Sequence, residues 1–105
     1  MTETIPAPSG TGTVVLNIGA DTGALILYAP AGLNGLEIEI SPNSAPDGAR
    51  THSRVRERRA GAVVRYAAVY PSVPAGRYTV WRDDGRPAAT VTITGGTITS
   101  CQWPD

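Results

Sequence analysis

The sequence predicts an all-β protein, an antiparallel β-sandwich of about seven to eight strands. Short runs rich in Val, Ile, Thr and Tyr recur from Thr13 to the end of the chain. Gly, Pro, Asn and Asp separate them at the spacing of a sandwich or barrel, and no segment sustains a helical period.

Residues 1–11, with Pro6, Pro8, Ser9 and Gly10, have the composition of a flexible leader, and residues 12–105 read as a single domain. The expected strands are Thr13 to Ile18, Ala24 to Ala29, Leu36 to Ser41, Thr51 to Arg59, Ala62 to Tyr70, Arg77 to Arg82, Ala88 to Thr94 and Thr97 to Trp103. Leu36, Ile38 and Ile40 alternate with Glu37, Glu39 and Ser41, the pattern of an antiparallel strand with one wet face. Val91 and Ile93 alternate with threonines in the same way. Asp84-Gly85 and Gly95-Gly96 suit tight hairpin turns, so the last three strands are expected to form a meander. Pro42 to Arg50 is the longest connection.

Composition narrows the function classes. The 105 residues, 41% hydrophobic and 17% charged, bound one ordinary globular core. Nine basic residues, all arginine, balance nine acidic ones, so no global field draws the chain to nucleic acid or an anionic surface, and any charged partner must be recognised locally. Nucleic acid is further disfavoured by six aromatics and no Phe. A single cysteine, Cys101, makes no intramolecular disulfide, and no apolar run reaches the length of a membrane span, so a cytoplasmic location is expected.

Arg50-Thr51-His52-Ser53-Arg54-Val55-Arg56-Glu57-Arg58-Arg59 packs the only histidine among a cluster of arginines. As one strand it would put His52, Arg54, Arg56 and Arg58 on one face, a cationic row about 20 Å long. Two readings stand side by side. In the first, the row is a solvated face, with Glu39 opposite Arg54 and Glu37 opposite Arg56 once Ile38 faces Val55 in the core. In the second, His52, Arg54, Arg56, Arg58 and Arg59 form a binding surface for an anionic ligand or an acidic protein, since guanidinium forks grip carboxylate and phosphate. Tyr66 and Tyr70 on the next strand read as core.

Other chemistries have thinner support. One His and one Cys cannot assemble the usual zinc sets, so no metal or cofactor is assigned. Acyl transfer would need His52 beside an oriented Ser or Cys101, and no local signature surrounds either, so no catalytic residue is assigned. Asp21-Thr22-Gly23 matches the aspartic-protease triplet in letters, but a turn in which Gly23 takes an unusual φ accounts for it.

Val73-Pro74-Ala75-Gly76-Arg77-Tyr78-Thr79-Val80, followed by Val91-Thr92-Ile93 and Gly96-Thr97-Ile98, resembles the prealbumin-like sandwiches over about residues 66–103. These include the Cna-B-type and carboxypeptidase regulatory-like modules. The resemblance implies the sandwich fold and leaves function open, because such modules serve as spacers, adhesin stalks and carriers. The Lys-to-Asn/Asp crosslink common in Cna-B-type domains is excluded by the absence of lysine. The whole chain is also similar to a group of small actinobacterial proteins, some labelled phospholipases, yet it lacks the Gly-x-Ser-x-Gly elbow of α/β-hydrolase lipases.

The reading that results is a non-catalytic binding or interaction module with an arginine-rich sheet face. The alternatives are a small phospholipase- or esterase-like hydrolase using His52, with a concave pocket around it, and a structural subunit that self-associates through a sheet edge. Monomer and homodimer are both compatible with the sequence.

Overall fold

The computed structural model describes residue 16, residues 18–44 and residues 50–104. The leader and most of the expected first strand, Thr13 to Ile18, lie outside the described residues. Eight strands follow: β1 (Thr22–Ala29), β2 (Glu37–Pro42), β3 (Thr51–Arg54), β4 (Arg56–Ala60), β5 (Val63–Pro74), β6 (Gly76–Trp81), β7 (Pro87–Ile93) and β8 (Ile98–Gln102), with one short 3-10 turn at Ala31–Leu33. They form two four-stranded sheets, ordered β4-β5-β1-β8 and β3-β2-β6-β7. The expected sandwich is the observed fold.

Alternation builds the core. Leu25, Leu27, Ala68, Tyr70 and Val73 from the first sheet meet Ile38, Ile40, Tyr78, Val80, Val91 and Ile93 from the second, while Val55 seals one side. Tyr70 links the two layers, since its hydroxyl donates to the Ile38 carbonyl at 2.7 Å in a fully buried position. Burial, and then the Glu39 charge, push this phenol well above its usual range. Tyr70→Phe leaves the Ile38 carbonyl without that donor, a cost of about 1–3 kcal/mol. Thermal denaturation should therefore show a melting point lowered by several degrees; an unchanged value would mean that the hydroxyl carries no stability.

The Asp84-Gly85 hairpin forms as expected between β6 and β7. Gly85 takes φ 86°, and the Arg82 N–H donates to the Arg86 carbonyl at 2.8 Å. The Arg86 backbone N–H, then its guanidinium, hold the Asp84 carboxyl below its usual range. At Pro74–Gly76 the chain crosses from the first sheet to the second, with Gly76 at φ 150°. Tyr78 and Val80 then both point inward, and the Tyr78 hydroxyl donates back to the Pro74 carbonyl at 2.7 Å, the local geometry of a tyrosine corner.

Three expectations need correction. The last three strands are not a meander: β7 pairs with β6, whereas β8 belongs to the other sheet, where it runs parallel to β1 from Ala24↔Ile98 to Tyr28↔Gln102. Gly95-Gly96 is thus an inter-sheet crossing, packed across the start of β1, where the Ala24 N–H donates to the Thr97 carbonyl at 3.0 Å. Gly23 has no positive φ. It is glycine because a Cβ there would lie 2.5 Å from the Thr94 carbonyl oxygen and 2.9 Å from that of Thr97. Finally, Thr51 to Arg59 is not a flat strand on one sheet: it bends at Val55, pairing first with β2 and then with β5.

Candidate anion-binding face

The bend at Val55 decides where the arginines go. Its N–H donates to the Leu36 carbonyl at 2.9 Å and its carbonyl accepts from Gly35 at 2.8 Å, which ends the pairing with the β2 side. Its side chain is fully buried. Side chains on either flank of Val55 therefore point outward, but on different sheets. The row wraps round the sandwich edge, so His52 and Arg54 do not share a flat face with Arg56 and Arg58.

The first half of the row is neutralised. Arg54 lies opposite Glu37, not Glu39, and contacts it at 3.3 Å while also donating to the Gly35 carbonyl at 2.6 Å. Glu39 lies opposite His52 and takes its ion pair from Arg50 at 3.0 Å. The register differs from expectation by two residues because Val55 turns into the corner rather than facing Ile38. Arg50 also stacks on Trp81 at 4.4 Å, along a groove of about 280 Å³ that includes Glu37, Glu39 and Asp83. Residues 45–49 of the adjoining loop lie outside the described residues. His52 is exposed and lines neither this groove nor the two of about 200 Å³ beside Val55 and Tyr28. It stands on edge strand β3, whereas Cys101 is on β8 at the far side of the sandwich, half-buried opposite Leu27, with its thiol pushed up by burial. Those two residues cannot act as base and nucleophile.

The second half keeps its charge together. Arg58 lies directly opposite Arg65, and Arg56 opposite Ala67, on the side of the β4–β5 pair away from the core, where Ala67 and Arg58 are nonetheless buried. Tyr28, opposite Ala67 on β1, shares that side, and the Arg65 guanidinium stacks on its ring at 4.5 Å. Burial, and then the Arg56 charge, push the Arg58 guanidinium below its usual range. Arg58 is 7% exposed and engaged within the protein, while Arg56 and Arg65 are exposed. Arg59 points to the opposite side of β4 and pairs with Glu57 at 2.7 Å.

Arg56 and Arg65 are exposed on this side of the sheet, where no described strand position carries a carboxylate. An oxyanion placed against Arg56 and Arg65 can accept paired hydrogen bonds from their guanidinium groups. Arg65 and Tyr28 were not among the expected site residues. Their signal was Gly61: with φ 63° at the first position of a two-residue loop, it sets Ala60 opposite Val63 and hence Arg58 opposite Arg65. Tyr70 is core as expected, and Tyr66 is half-buried against the core.

Among the described residues no group of three or more His, Cys, Asp or Glu side chains could hold a metal ion. No family model, no curated protein and no solved structure is significantly similar to the chain.

Proposed function

We propose that the protein is a non-catalytic binding module that captures an anionic group on the outward face of the β4-β5-β1-β8 sheet, with Arg56 and Arg65 making the contacts. One observation carries this reading: Arg56 and Arg65 are both exposed on the same side of the β4–β5 pair, in a chain whose formal net charge is zero. Two exposed guanidinium groups on one side of a ladder can grip an oxyanion with paired hydrogen bonds. The ion-paired reading of the row fits Arg50 and Arg54, paired with Glu39 and Glu37, and Arg59, paired with Glu57. We place the protein in the cytoplasm and its fold among the prealbumin-like sandwiches, the latter supported by the Pro74-to-Tyr78 corner.

The test is a thermal-shift and calorimetric titration with inorganic phosphate and tripolyphosphate. A ligand at 100 times its Kd adds about 2.7 kcal/mol of stability, a rise of several degrees. The response should disappear in Arg56→Glu/Arg65→Glu and persist in Arg54→Glu on the other sheet. A response that survives the double substitution, or its absence in the unaltered protein, would refute the proposal.

A further inference from the structure

The hairpin that carries these arginines has an unusual tip. Its sequence, Arg58-Arg59-Ala60-Gly61-Ala62-Val63-Val64-Arg65, sets five small or aliphatic residues between arginines. Val63, 56% exposed, and Val64, 42% exposed, are the exposed large hydrophobics of the described chain. Exposed aliphatic side chains next to one another at a projecting tip mark a contact surface.

The tip also stands clear of the sheet. Pairing between β1 and β5 ends at Ala29↔Tyr66, so among the described residues Val63, Val64 and Arg65 pair only with β4. Three residues at about 3.3 Å each give a two-stranded ribbon projecting about 10 Å. Arg65 and Arg59 flank the valines, Arg56 lies one step further back, and the nearby carboxylate, Glu57, is already paired with Arg59. Long guanidinium side chains at this level can reach phosphates while their stems lie along apolar surface.

We infer that the β4–β5 hairpin is a peripheral membrane contact, its Ala60-to-Val64 tip entering the interface of an anionic bilayer while Arg56 and Arg65 bind lipid phosphates. The inference rests on the anion-binding reading above and names its source of phosphate. The dimensions agree, because interfacial segments bury their apolar side about 5–10 Å into the headgroup and acyl boundary. The charge agrees as well, since basic residues beside an apolar element supply the attraction that a few aliphatic side chains lack. No helix of the described residues is long and apolar enough to cross a membrane; the contact is with the bilayer surface.

Co-sedimentation with vesicles tests it, using phosphatidylcholine alone and phosphatidylcholine with about one third phosphatidylglycerol, the latter giving a strongly anionic surface. The protein should sediment with the anionic vesicles only, and less so as salt screens the arginines. Val63→Ser/Val64→Ser removes exposed side chains and should leave the melting point and tripolyphosphate binding unchanged, yet weaken vesicle binding about tenfold or more. Arg56→Glu/Arg65→Glu should lose both ligands. Tripolyphosphate binding without vesicle binding would overturn the membrane contact and keep the anion site. Vesicle binding indifferent to the two valines would also overturn it, and failure of the unaltered protein to bind either ligand would overturn both readings.

Discussion

Gly23→Ala is expected to be among the most damaging single-methyl additions in the protein. The new Cβ would sit 2.5 Å from the Thr94 carbonyl oxygen, 2.9 Å from that of Thr97 and 2.9 Å from Ile93 Cγ2. Two of these are backbone atoms of the crossing between sheets, so no rotamer change relieves the contact. The same crossing holds β8 against β1 through the Ala24-to-Thr97 and Gly96-to-Thr22 hydrogen bonds, and pushing it away loosens an edge strand as well. A cost of about 3 kcal/mol or more follows, against a total stability of about 5–15 kcal/mol for a domain this size. Chemical denaturation would read it directly. Gly32→Ala is the matched control: it has no positive φ and nothing within 4 Å of its added Cβ, and it should be neutral or slightly stabilising. If Gly23→Ala behaved like Gly32→Ala, the crossing would not lie against β1.

What was legible in the sequence, and what was not, follows from the range of each signal. Strand existence and inward faces came from period-two alternation where polar residues intervene: Ile38 and Ile40, and Val91 and Ile93, are all core. The Asp84-Gly85 turn was legible because its geometry is local. Pairing partners were not, since Gly95-Gly96 permits a hairpin and a crossing equally, and only packing against Gly23 selects the crossing. The candidate site was half legible. Arginine density marked the right segment, but an apolar residue at Val55 reads the same whether a strand stays flat or turns a corner. The corner moved His52 and Arg54 to another sheet, and Arg65, seven positions along the chain from Arg58, became its cross-strand neighbour.

That corner gives the second large effect. Val55 is fully buried and both its backbone polar groups are bonded to Gly35 and Leu36. Val55→Ala leaves a partly collapsed gap costing about 2 kcal/mol. Val55→Asp instead puts a carboxylate in the same space with no cation in the core, and a cost of about 3–5 kcal/mol is expected at neutral pH. The sign of its pH dependence separates charge burial from simple loss of volume. A buried Asp has a raised pKa in the folded state, so folding favours its protonated form. The penalty should then be smallest below the unfolded-state pKa of about 4 and grow as pH rises through the folded-state value. Val55→Ala adds no titrating group, and its cost relative to the unaltered protein should stay constant over the same range. Denaturation of both variants at acid and neutral pH distinguishes the cases. A constant Asp penalty would place the side chain in water rather than at the corner, and the arginines on either side would then share the single flat face that the sequence alone suggests.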